Sequence, residues 1–167
     1  MIVPRRLRWL WLTLAVVFLD RATKAWFETQ TAEGWRHEVI HNFFYLVHTR
    51  NPGIAFSLFA NSSSPLLRMA LIAGALAIIG LLAWLLVSGR KVSSLHAAGL
   101  ALLLGGAAGN VVDRIVHGGV TDFLEFYLGP YRYPAFNVAD SAITVGAVLV
   151  VLDVLFGKHQ HVAPQAK

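Results

Sequence analysis

No cysteine occurs in the 167 residues, which excludes disulfide frameworks, thiol nucleophiles, cysteine-ligated zinc and iron–sulfur clusters. Charge is scarce as well. Asp, Glu, Lys and Arg make up 14% of the chain, roughly half the share usual in globular proteins. So few charges cannot cover the surface of a water-soluble domain, and a disordered chain does not carry 56% apolar residues. No G-x-S-x-G nucleophile elbow is present. The net charge of +5 does not indicate nucleic acid, because the fourteen Lys and Arg are scattered between apolar runs instead of gathered on one polar face.

What the chain has in abundance is apolar length, with a mean hydropathy of +0.59. A bilayer core of about 30 Å takes about 20 apolar residues as a helix. Four spans fit, at 7–27, 69–89, 95–112 and 138–156, within one integral membrane domain over 1–167. The second is free of charge and the third carries only His96. The first meets Asp20, Arg21 and Lys24, and the last holds Asp140 and Asp153. The basic, apolar N-terminus resembles a secretory leader but lacks a small-x-small cleavage site, so it reads as a retained first span.

Lys and Arg density in the connecting segments sets orientation. With both termini cytoplasmic, the inner segments hold seven basic residues in 25, and the outer segments seven in 73. Both long polar stretches, 28–65 and 114–136, then lie outside. Around the turn Asn51-Pro52-Gly53, the runs at 37–50 and 54–60 read as short strands, as does 120–128 after Gly118-Gly119. Tyr131, Tyr133 and Phe136 suit the headgroup level. A small β-rich cap on the helices is expected.

Depth sorts the nine acids. Glu28, Glu33 and Glu38 read as solubilising residues, and Asp153 lies about 20 Å from Asp140 by helical rise. Asp20, Asp113, Asp122 and Asp140 fall together near the outer face. Two carboxylates brought close share one proton, so one can activate water while the other protonates a carbonyl. Each acid also has a plainer reading. Asn137 and Asp140 have capping spacing, Asp113 adjoins Arg114, and Asp20 with Lys24 is an i,i+4 salt bridge. Gly105 and Gly109 form a small-residue packing seam. The seven histidines read as strand, loop or span-end residues, not ligands. Spacing leaves both Asp113 and Asp122 open as partners of Asp140, and leaves a proton-coupled transporter using the same acids as a competing function.

The motifs GNVVDR (109–114), VTDF (120–123) and FNVADSAITVG (136–146), with LDRATK (19–24) and TRNPGIAFS (49–57), strongly resemble the lipoprotein signal peptidases, or signal peptidase II. The match is specific and covers most of the chain. It implies a mainly α membrane protein of four transmembrane helices with a small periplasmic β-cradle and a short periplasmic helix. The implied activity is that of a bacterial inner-membrane aspartyl endopeptidase acting on diacylglyceryl-prolipoprotein, with Asp122 and Asp140 as catalytic dyad. Asn51, Asn110, Arg114 and Asn137 match the polar residues around substrate, and Asp20 and Asp113 the supporting acids. No metal or cofactor is expected, and the partners are the prolipoprotein and membrane lipids around a monomer. One departure is Pro52-Gly53-Ile54, where the family more often has a small polar residue and then Gly-Ala.

Overall fold

Within a bilayer every backbone N–H and C=O must be satisfied inside its own segment, so long apolar runs become helices. The structure, a computed structural model, describes residues 7–52, 65–88 and 93–157. Helix α1 (Trp9–Gln30) leads into strands β1 (Arg36–Ile40) and β2 (Phe44–Asn51). Helices α2 (Pro65–Val87) and α3 (Ser94–Val116) follow, then β3 (Val120–Leu128), β4 (Tyr131–Phe136) and helix α4 (Val138–Phe156). The mainly helical architecture with a small antiparallel sheet matches the sequence expectation.

Helices α2, α3 and α4 are long and apolar enough to cross a membrane. Helix α1 has the length, but Asp20, Arg21, Lys24 and Glu28 interrupt it. The apolar flanks turn outward: Trp11, Phe18, Leu66, Met69, Trp84, Val148 and Phe156 are all exposed. Such a belt would aggregate in water and is at home in acyl chains. No further short helix occurs among the described residues. The strand expected at 54–60, and the departure from the family pattern from Gly53 onward, lie outside them.

Helix α3 is the hub, packing on α1, α2 and α4. Glycine makes the approach possible. A Cβ on Gly105 would lie 2.8 Å from Val16 Cβ of α1, and one on Gly109 only 2.5 Å from Asp20 Oδ2. The opposite stripe, Gly99 and Gly106, faces α4 in the same way. At the far end, Leu86, Ala97, Leu100, Ala101 and Leu104 close an apolar cluster between α2 and α3.

The four strands pair antiparallel in the order β1-β2-β3-β4. The β2–β3 ladder joins the segment after α1 to the segment after α3, setting Thr49 opposite Asp122 and Asn51 opposite Val120. Gly118 enters β3 at φ 77°, a left-handed conformation that favours glycine. The register carries Asn51 to the end of the sheet nearest the helices, beside Asp122.

Candidate active site

Asp140 owes its place to the start of α4. Asn137 is extended and caps the helix, its Oδ1 accepting from the Asp140 N–H at 2.9 Å. Asp140 Oδ2 accepts in return from the Asn137 N–H at 3.3 Å. The capping box is therefore real. It occupies one oxygen, while Asp140 Oδ1 accepts from Asn110 Nδ2 at 2.8 Å.

Asp122 sits in mid β3 and is 3% exposed. Its Oδ1 accepts from Asn137 Nδ2 at 2.7 Å, and its Oδ2 lies 3.5 Å from Asn51 Nδ2. Burial pushes its carboxyl up to about 7, and the nearby charge of Asp140 adds to the rise. The amides of Asn137 and Asn51 and the Lys24 ammonium pull the other way. Asn137 Nδ2 also reaches Asn110 Oδ1 at 3.3 Å, so the two carboxylates are connected through two asparagine amides.

Both acids line one cavity of about 450 Å³, together with Asn51, Asn110, Arg114, Tyr133 and Phe136. Its other wall is apolar, formed by Ala75, Ile78 and Leu82 of α2 and Ile143 of α4. Arg114 stands one turn beyond Asn110 and donates through Nη1 to the Asn110 carbonyl at 3.1 Å. Asn51, Asn110, Arg114, Asn137, Asp122 and Asp140 thus gather in one place.

Asp20 and Asp113 stand behind this wall, both fully buried. Asp20 Oδ1 accepts from the Ala139 N–H at 2.9 Å, fastening α1 to the first turn of α4. Asp113, which sequence pairs with neighbouring Arg114, finds cations on α1: Arg21, and Lys24 at 2.7 Å. The Asp20–Lys24 pair, also at 2.7 Å, is no exposed helix-face bridge, since both side chains are wholly buried. Glu28 is more than a solubilising residue. It accepts from Thr121 Oγ1 at 2.7 Å and pairs with Arg21 at 3.3 Å. Sequence spacing pairs Lys24 with Asp20 but shows neither its contacts with Asp113 and Asn110 nor that of Glu28 with Thr121, because those partners lie far away along the chain. Glu125, buried under Arg36 and Arg132, carries no local signal either.

The chain does contain the H-E-x-x-H order, at residues 37–41. The zinc motif needs a helix to put both histidines on one face. Here residues 37–40 lie in exposed strand β1, and His41 Nδ1 approaches Glu38 Oε1 at 3.2 Å. Among the described residues one group, Glu28, Asp113 and His117, brings metal-ligand atoms within 4.8 Å of one another. Arg21 and Lys24 already neutralise Asp113 there, and a divalent cation would have to compete with both. At the other end of α4, Asp153 binds Ser93 and, at 3.1 Å, His96 Nδ1. Among the described residues its partners lie at that end, about 20 Å by helical rise from Asp140.

Fold and site together define a helical membrane protein with four aspartates, Asp20, Asp113, Asp122 and Asp140, drawn to one end of the bundle. Comparison makes that specific. The family model described as signal peptidase (SPase) II matches residues 12–156, and the chain belongs to this family of proteases. A lipoprotein signal peptidase of Desulforapulum autotrophicum is 43% identical over 86% of this chain and 88% of its own length. Another, from Xylella fastidiosa strain M12, is 41% identical over 96% of each. A bacterial membrane enzyme solved by the in meso method superposes with a TM-score of 0.81 at 26% identity, covering 96% of this chain and 94% of the other.

Proposed function

We propose that this chain is an aspartyl endopeptidase of the bacterial inner membrane. It removes the signal peptide from diacylglyceryl-modified prolipoproteins by cutting just before the lipidated cysteine. The observation that carries this reading is the shared cavity wall on which Asp122 and Asp140 are joined through Asn110 and Asn137. Membership of the family supports the substrate. The apolar wall from α2 and α4 suits the apolar stretch of a signal peptide lying against it. Cleavage of a lipidated prolipoprotein peptide by the purified protein in detergent tests the reading; an intact peptide refutes it.

With its carboxyl raised to about 7, Asp122 holds the shared proton and Asp140 is the base. Asp140 takes a proton from water, whose oxygen attacks the scissile carbonyl carbon while Asp122 protonates the carbonyl oxygen. Collapse of the tetrahedral intermediate breaks the C–N bond, and the proton on Asp140 passes to the leaving nitrogen. The new carboxyl group forms as Asp122 recovers its proton. Asn110 and the capping N–H donate to Asp140 and hold it ready as an acceptor before the attack.

The titration has a definite sign. Asp122 keeps its proton below about pH 7 and loses it above, so kcat should fall as pH rises through about 7. A kcat that climbs through that range would give the donor role to another group.

From the density of Lys and Arg in the connecting segments, we place the two polar stretches on the periplasmic side of four membrane-crossing helices, with both termini in the cytoplasm and a monomer surrounded by lipid. Periplasm-active reporter fusions made after Ser62 and after Gly129 should both be active. Cytoplasmic behaviour of either would invert the site.

A further inference from the structure

A lysine is almost never fully buried without partners, and an ionised one at membrane depth is especially costly. Lys24 is 0% exposed. Its ammonium has three protons and no acceptor capacity. Three oxygens take them: Asp20 Oδ2 at 2.7 Å, Asp113 Oδ2 at 2.7 Å and Asn110 Oδ1 at 3.0 Å. The two carboxylates account for charge balance. The third contact does something else.

An asparagine amide can present either its oxygen or its NH2 to a neighbour, and the two ends have nearly the same shape. Lys24 can only donate, so it holds the Asn110 oxygen toward itself and turns the NH2 toward Asp140, 2.8 Å away. Asn137 Nδ2, at 3.3 Å from the same oxygen, reinforces that choice and points its own amide at Asp122. We infer that Lys24 is a positioning residue for the proposed peptidase reaction, fixing the orientation of the Asn110 amide so that it donates to Asp140. The inference rests on the assignment of Asp140 as base. It gives α1, which contributes nothing to the cavity lining, a direct part in setting the catalytic hydrogen bonds. Without Lys24 the Asn110 oxygen keeps only the 3.3 Å contact with Asn137 Nδ2, so the amide is held less firmly and its donation to Asp140 weakens.

Lys24→Met is the direct test, read as kcat and KM on a lipidated prolipoprotein peptide. It also leaves Asp20 without its cation, so the decisive variant is Lys24→Met combined with Asp20→Asn. There one positive and one negative charge go together, and Asp113 keeps Arg21. The expected result is a kcat about ten- to a hundredfold below wild type with KM within about twofold, the loss of one hydrogen bond to a charged group. Recovery of wild-type kcat in the double variant would show that Lys24 only balances charge and would overturn the inference. So would an undiminished effect of Lys24→Met on an Asn110→Ala background, where the proposed route is already cut. A measurement on the unaltered enzyme needs no Lys24 variant. In 15N-asparagine-labelled protein, the Asn110 side-chain amide protons should shift on Asp140→Asn; indifferent protons refute the orientation. The two ideas fail separately. If Asp140→Asn still cleaves, the dyad reading falls; if it is dead while the charge-balanced variant is fully active, only the role of Lys24 falls.

Discussion

Asp122→Asn and Asp140→Asn should each lower kcat about a thousandfold or more while leaving binding of the lipopeptide largely intact, since general acid–base groups contribute about 10²–10⁴ apiece. An amide keeps the shape of the carboxyl and part of its hydrogen bonding but can neither accept the proton from water nor return one. At position 140 the substitution also preserves an oxygen for the capping box with Asn137. That separates the capping role of Asp140 from the proposed catalytic one. If Asp140 served only to start α4, its replacement would cost at most about 1 kcal/mol of stability and spare turnover. Members of a catalytic unit are not additive, so the double variant should be scarcely worse than either single one. Asp153→Asn is the internal control. Bound to Ser93 and His96 at the other end of α4, it should cleave normally. Near wild-type cleavage by Asp122→Asn together with a dead Asp113→Asn would make Asp113, not Asp122, the partner of Asp140.

The second large effect is expected from a residue with no side chain. A Cβ added at Gly106 would run into the Ala139 carbonyl and lie 2.7 Å from Ile143 Cγ1. A Cβ has no rotamer to escape through, so Gly106→Ala must push α3 away from the first turns of α4. Asn110 is one turn along α3 and Asp140 adjoins Ala139, so the same displacement opens their 2.8 Å hydrogen bond. Overpacking of this kind costs about 1–3 kcal/mol. Thermal unfolding in detergent should show that loss, and cleavage should fall at least tenfold. Gly80→Ala, on exposed helix α2 where the new methyl meets nothing within 4 Å, should be neutral or slightly stabilising. Equal behaviour of the two variants would mean that the α3–α4 seam tolerates separation.

Much of this was legible in the sequence because it depends on local pattern. Apolar length marks α2, α3 and α4, alternation and turn residues mark the hairpins, and Asn137 with Asp140 announces the start of α4. The gathering of Asp20, Asp113, Asp122 and Asp140 at one depth follows from counting rise along helices. What spacing could not give is which side chain crosses from one helix to the next. Sequence sees Lys24 beside Asp20 at i,i+4 but not Asp113, because the contact depends on how closely α1 approaches the glycine face of α3. Glu28 and Thr121 meet across α1 and β3 for the same reason. Motif resemblance favoured Asp122 over Asp113. The geometry adds a reason: Asp113 is tied up by the cations of α1, while Asp122 opens on the cavity.

The β2–β3 ladder has a consequence for how the protein is made. It stitches a strand that leaves the ribosome after α1 to one that leaves after α3. Asn51 and Lys24 are synthesised early, Asp122 and Asp140 late. If the proposed dyad carries the chemistry, a nascent chain is inert until α4 has been made, so a half-built copy cannot cut whatever lies beside it. Until α3 is made, Lys24 of α1 lacks two of its three oxygen partners, Asp113 and Asn110. Under the proposed reading, cleavage by this chain would certify completed assembly.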